Sequence, residues 1–265
     1  MRTCSGADST GATPQDAKRQ VAELASGTAT TPASCGSPAK WSGQRSAKWI
    51  NGHLADTLRT YTKYDGPLAD VVRWTIRDLR AIAPVAADLG VLVVLENHED
   101  FTGPVLARIL GEVAHPSVRA LYDYGNSQMV GEDPLVALAA MSPYVARVHA
   151  KDHVLIHGPH GPVVQGVPFG SGNLPVGLTT DRLYLAGVRR FCFENVWSYV
   201  APLKVPQDRL PDTACFAFAD RSRYLMGDEL PPARAVREER IAFAEGLAAF
   251  RRMLAERGYL VRPGP

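Results

Sequence analysis

Four stretches of this sequence each place a metal-binding type of side chain directly after an apolar run. Glu96 follows Val91-Leu92-Val93-Val94-Leu95, and Asp123 follows Val118-Arg119-Ala120-Leu121-Tyr122. His149 follows Val145-Ala146-Arg147-Val148, and Glu194 follows Val188-Arg189-Arg190-Phe191-Cys192-Phe193. A carboxylate or imidazole at the end of a buried run is costly unless something satisfies it. Each has an ordinary reading when taken alone. Glu96 is a cap or surface group, Asp123 before Gly125-Asn126 makes an Asx-type turn, His149 is a hydrogen-bonded core histidine, and Glu194-Asn195 begins a polar loop. Caps do not explain why all four stand at the same place relative to their runs. Acids brought to one point raise one another's pKa unless a cation neutralises them. A set of carboxylates and one imidazole suits one divalent ion, with Mn²⁺, Mg²⁺ or Co²⁺ ahead of Zn²⁺.

These ends have to be positioned by the elements before them. Residues 68–80 carry apolar side chains at helical spacing behind Gly66-Pro67; the helix is predicted to run on through Val85-Ala86-Ala87 and to stop at Gly90. The run after it is aliphatic without alternation, the pattern of a strand buried on both faces in a parallel sheet. Helix-like stretches at 105–113, 135–141 and 181–186 precede the other three runs. Four strand–helix alternations with short connections predict an α/β fold of parallel βα units, as a barrel or an open sheet. Both gather ligands at the C-terminal ends of their strands. We expect a single domain over residues 1–265, with a loop-rich N-terminal part at 1–64 and a C-terminal helix at 228–258. Within the N-terminal part, 28–46 reads as a loop, 15–24 as a short helix behind Thr13-Pro14, and Met1-Arg2-Thr3-Cys4 as a strand stub.

Strand alternation sorts the neighbours. Glu96 and His98 share a face, as do His149, Lys151 and His153, while Ala150 and Asp152 are expected to point into the helix layer. His98, Asn126 and Lys151 are the expected substrate-binding residues. Lys151 offers a point charge for a hydroxyl, carboxylate or phosphate, and a structural salt bridge is an equally good reading of it. Residues 168–173, Pro-Phe-Gly-Ser-Gly-Asn, neither follow a strand nor open a dinucleotide-type helix, and read as a flexible loop over the rim. Residues 195–227, rich in Pro and aromatics, are expected to cover the site.

Composition narrows the classes of function. A chain of 265 residues that is 46% hydrophobic can bury a large core. With 29 basic and 27 acidic residues the net charge is +2, which supplies no field for nucleic acid. No apolar run approaches the roughly 20 residues of a membrane span, and the N-terminus has no apolar leader core. Cys4, Cys35, Cys192 and Cys215 form no C-x-x-C pair and read as reduced thiols of a cytoplasmic protein.

The segments Gly90-Val91 through Leu95-Glu96-Asn97-His98, Asp123-Tyr124-Gly125-Asn126, Val148-His149-Ala150-Lys151-Asp152, Gly170-Ser171-Gly172-Asn173 and Phe193-Glu194 resemble the xylose-isomerase-like barrels of sugar phosphate isomerases and epimerases. The resemblance implies a TIM (β/α)₈-type barrel whose fifth to eighth strands are those found here. Residues 1–6 look like the end of the fourth strand, so the barrel is expected to be incomplete at its N-terminus. It implies that Glu96, Asp123, His149 and Glu194 bind one metal, and that Glu96 and Glu194 are the acid/base groups on opposite sides of a carbohydrate. The implied activity is a divalent-metal-dependent sugar (phosphate) isomerase or epimerase, working through a metal-stabilised enediolate. The alternatives are a dehydratase of inosose or dehydroshikimate type and a non-catalytic metal- or sugar-binding remnant. An apurinic-site endonuclease of similar barrel would need three zinc ions, and a chain with 7 histidines is poorly supplied for them. The expected partner is a small carbohydrate, with no nucleic acid and no membrane; a homo-oligomer is left open.

Overall fold

The computed structural model describes residues 67–98 and 101–260, so the expectations for 1–64 lie outside the described residues. Helix α1 (Leu68–Asp88) buries Val71, Val72, Thr75, Ile76, Leu79, Ile82, Ala83 and Ala86, a stripe at three- and four-residue spacing. It ends at Gly90, which adopts φ +62° and lets Val91 N–H donate back to Ala86 O at 2.8 Å. Then follow β1 (Val93–Glu96), α2 (Gly103–Val113), β2 (Val118–Asp123), the single turn α3 (Asn126–Met129), α4 (Pro134–Met141) and β3 (Val145–Ala150).

After β3 comes a hairpin of β4 (Asp152–Gly158) and β5 (Gly161–Val167), then α5 (Val176–Leu185), β6 (Cys192–Phe193), β7 (Val200–Pro202) and the long α6 (Pro232–Glu256). Strands β1, β2, β3 and β6 form a parallel sheet in that order. Val93, Leu95, Ala120, Tyr122, Val148 and Ala150 bury one face of it against α1, α2 and α4. Burying one such aliphatic side chain is worth about 1.5–3 kcal/mol. The register sets Glu96 against Leu121, Asp123 against His149, and His149 against Cys192, so the ends of all four strands finish at one rim. A register shift between Ala120 and Leu121 brings β2 into that alignment.

The fourth strand is shorter than expected. A strand was expected from residue 188, yet only Cys192–Phe193 pair with β3. Val188 N–H still closes the end of α5 onto Leu183 O at 3.0 Å, and the Arg189 guanidinium donates to Val188 O and lies 3.9 Å over the Tyr184 ring. Arg189 and Arg190 are exposed. Their charges hold this stretch at the surface, so pairing begins only after it.

The hairpin is an addition to the expected βα pattern. Its two strands flank a Gly158-Pro159-His160-Gly161 turn, and β7 adds a third antiparallel strand. Two runs of β-branched residues around a Gly-Pro turn were the available signal. Asp152 does not enter the helix layer as expected. It is 1% exposed and accepts backbone N–H bonds from His153 (2.9 Å), Gly170 (3.0 Å), Gly172 (2.9 Å) and Leu174 (3.3 Å). The 168–173 loop, expected to be loose, is therefore tied to the residue beside Lys151. Gly172 approaches so closely that a Cβ there would overlap the Asp152 carboxylate and His153 O.

The C-terminal helix fixes the fourth strand end. Its buried Phe250 stands 5.0 Å from Phe169 and 6.1 Å from Phe193, the residue before Glu194. Residues 195–227 pack on the hairpin, with Ser198 N–H on Gly166 O at 3.0 Å and Ala219 N–H on Leu155 O at 2.7 Å. Among the described residues no helix is long and apolar enough to cross a membrane. Cys192 and Cys215 are both free thiols.

Candidate metal centre

The four strand ends meet around the His149 imidazole. Its Nδ1 lies 3.4 Å from Glu96 Oε1, 3.6 Å from Glu194 Oε2 and 3.7 Å from Asp123 Oδ2. Glu96, Asp123 and His149 present ligand atoms within 4.8 Å of one another. Asp123 is 0% and His149 6% exposed at the side chain, whereas Glu194 keeps 36% and forms the open side of the cluster.

The conflict in this arrangement is one of unmet polar atoms. His149 Nδ1 and Glu194 Oε2 are buried without a hydrogen bond of ordinary geometry among the described residues. Distances of 3.4–3.7 Å between nitrogen and oxygen are too long for good hydrogen bonds. They match the spacing of ligand atoms that share one cation, since atoms about 2.1 Å from a common ion stand about 3–3.5 Å apart. The residues present therefore fit a single divalent ion.

Further contacts hold the three carboxylates of the cluster in place. Asp123 uses its oxygens separately: Oδ1 accepts Gly125 N–H at 2.9 Å and Asn126 N–H at 3.2 Å, while Oδ2 faces the cluster. The turn reading of this residue is realised through Oδ1, and Oδ2 is left facing the cluster. Asn97 clamps the same strand end, accepting Asp123 N–H at 2.7 Å and donating to Asp123 O at 3.1 Å. Sequence reasoning assigned Asn97 no role; its position beside Glu96 on the opposite strand face was the only hint. Asn126 Nδ2 donates to Glu96 Oε1 at 3.3 Å. Lys151 Nζ lies 2.9 Å from Asp123 Oδ2 and 3.5 Å from Glu194 Oε2. Asn126 and Lys151, two of the expected substrate contacts, thus touch the carboxylates of the cluster themselves. His98, the third, stands close enough for its charge to help keep Glu96 ionised.

The charges are strongly interdependent. Burial alone would push Asp123 up, but Lys151 and His149 hold it well below the usual carboxylate range. Burial likewise opposes Glu96 ionisation, and His149 overturns it. Lys151 is held above its ordinary value by Asp123, Glu194 and Glu96 against the cost of its burial. Burial would lower His149, yet Asp123, Glu96 and Glu194 push it up to about 10.

That value carries a sign. A histidine raised from 6.5 stabilises the metal-free fold fully below pH 6.5, and the contribution is lost as pH rises through about 10. A metal ligand must present a bare Nδ1, so an ion and a proton compete for the same atom. Divalent-ion binding at pH 7–8 is expected to release about one proton, with affinity rising up to about tenfold per pH unit. Calorimetry in buffers of different ionisation enthalpy reads this directly; zero proton release would show that His149 is not the ligand.

An α/β fold of parallel strands that gathers carboxylates and an imidazole at the C-terminal ends of its strands has the arrangement of the βα barrels. The chain belongs to the xylose isomerase-like TIM barrel family, whose sequence model matches residues 48–204. Among curated proteins, YihM of Escherichia coli (strain K12) is 28% identical over 153 residues, covering 56% of this chain and 47% of YihM. The chain thus spans about half the length of that relative. Similar solved structures include a xylose isomerase-like TIM barrel protein from Mycobacterium smegmatis in complex with magnesium, 20% identical with a TM-score of 0.43, covering 57% of this chain and 48% of that one. D-psicose 3-epimerase from Clostridium cellulolyticum H10 with D-tagatose is 15% identical with a TM-score of 0.42, covering 58% of each chain. The xylose isomerase domain protein of Planctomyces limnophilus is 23% identical with a TM-score of 0.41, covering 45% of this chain and 44% of that one.

Proposed function

We propose that this protein interconverts small sugars or sugar phosphates as an isomerase or epimerase, moving a proton next to a carbonyl with the help of one divalent ion. The observation that carries this reading is the placement of two glutamates at the two ends of the sheet. Glu96 closes β1 and Glu194 follows β6, the outermost strands, with Asp123 and His149 between them. Two carboxylates approaching one reacting carbon from opposite sides can take a proton on one face and return it on the other. Glu96, oriented by Asn126, and Glu194, at the open side, are the acid/base pair in this reading. Glu96, Asp123, His149 and Glu194 hold the ion, for which Mn²⁺, Mg²⁺ and Co²⁺ suit the donor set. An ion bound there supplies Lewis-acid polarisation of the carbonyl and hydroxyl oxygens, which makes the neighbouring C–H more acidic. Asp123 and Lys151 keep the glutamates' surroundings charged yet balanced, and His98 stands beside Glu96 for the sugar hydroxyls. Membership of a family named for a sugar isomerase agrees with this reading.

The test is incubation of the Mn²⁺-loaded protein with a panel of ketoses and aldoses in deuterated water. Deuterium is expected at a single carbon next to the carbonyl of at least one sugar. Water loss with a new conjugated absorbance would replace the proposal by the dehydratase reading. No exchange with any member of the panel would point to a non-catalytic carbohydrate binder.

A further inference from the structure

Lys151 is the residue that the proposed chemistry leaves least explained. This lysine is only 7% exposed, and its ammonium group sits on two carboxylates of the cluster, 2.9 Å from Asp123 Oδ2 and 3.5 Å from Glu194 Oε2. It bridges the two oxygens as a second metal ion bridges carboxylates in two-metal sites. Counting formal charge makes the role concrete. Glu96, Asp123 and Glu194 contribute three negative charges, Lys151 one positive, and a ligating His149 none. The balance of minus two is the charge that one divalent ion neutralises.

We propose that Lys151 is a built-in second cation, which limits the centre to one divalent ion and lowers the affinity for that ion. The inference rests on the reading of the cluster as a metal centre. An ion bound to Asp123 Oδ2 would share that oxygen with the ammonium. Like charges that close, in surroundings poorer in water than bulk, repel strongly. The ammonium also holds the half-exposed Glu194 toward Asp123. His149 Nδ1 faces the same two oxygens, 3.7 Å from Asp123 Oδ2 and 3.6 Å from Glu194 Oε2. The neighbouring Asp152 clamps the 168–173 loop through backbone N–H groups, which fixes the chain on the far side of Lys151.

The experiment is Mn²⁺ titration followed by electron paramagnetic resonance of free ion, with the wild type, Lys151→Gln and Lys151→Met. Both variants remove the charge; Gln keeps a polar end and Met keeps the apolar stem. Wild type is expected to bind one Mn²⁺. Both variants are expected to bind Mn²⁺ tighter by about tenfold or more, because a like charge next to the ion has gone. Binding of a second Mn²⁺ by either variant would strengthen the assignment. Affinity in both variants equal to or weaker than wild type would overturn it. Circular dichroism on the same samples identifies a variant that fails to fold, and the other variant then decides the matter. Absence of Mn²⁺ binding by the wild type is a different failure, since it removes the metal reading itself.

Discussion

Glu96→Gln and Glu194→Gln are each expected to reduce proton exchange into a sugar by about 10²–10⁴-fold, the usual contribution of a positioned acid or base. Glutamine keeps the shape and one ligand oxygen but cannot accept a proton at that pKa. The two variants differ in a way that tests the assignment further. Glu96 keeps only 11% of its side chain exposed and receives Asn126 Nδ2 at 3.3 Å, so an amide there must turn its oxygen toward Asn126 to keep the contact. Glu194 keeps 36% of its side chain exposed and has fewer fixed partners. Both proteins should stay folded, with unfolding transitions near that of the wild type. Deuterium wash-in is the assay because it reads proton abstraction even where net turnover is slow. A variant that retained more than about a tenth of the wild-type exchange would lose its place as an acid/base group.

The second large effect concerns Asp123. Asp123→Ala removes the counter-charge of two buried cations together and leaves Gly125 and Asn126 N–H without their acceptor. Breaking a buried ion pair by deleting one partner costs about 3–5 kcal/mol. Urea unfolding of the metal-free protein should show a loss of that size. Affinity for Mn²⁺ should fall at least about a hundredfold, more than a supporting residue would cost. Asp123→Asn separates the two roles, since its side-chain oxygen can still cap the turn while the charge is gone. It is expected to lose the ion about as completely, with a smaller loss of stability. If Asp123→Asn bound Mn²⁺ as well as wild type, the carboxylate would be a structural turn residue and not a ligand.

Much of this site is written locally. The run before Glu96 is unbroken and rich in β-branched residues, and those before Asp123 and His149 are each interrupted by one arginine only, so their strands and ends could be read from the chain itself. The stripe of α1 and its glycine stop were legible for the same reason, since both depend on spacing within one helix. The fourth strand was legible only at its end. Arg189 and Arg190 lie in an apolar-looking run, and whether such residues pair or stay at the surface depends on what α5 and Tyr184 offer them. The hairpin of Asp152–Gly158 and Gly161–Val167 leaves no mark on the βα alternation, because a tight turn and not a helix joins its strands.

By itself the sequence determined which residue types stand at the ends of four strands, and hence which chemistry was open to this protein. Tertiary structure alone decided what those residues do to one another. It put Lys151 on Asp123 and Glu194, turned Asp152 into the clamp of a glycine loop, and committed Asn126 to Glu96. The reason is physical: strand ends follow from local pattern, while the partner of a buried charge depends on register between strands far apart in the chain.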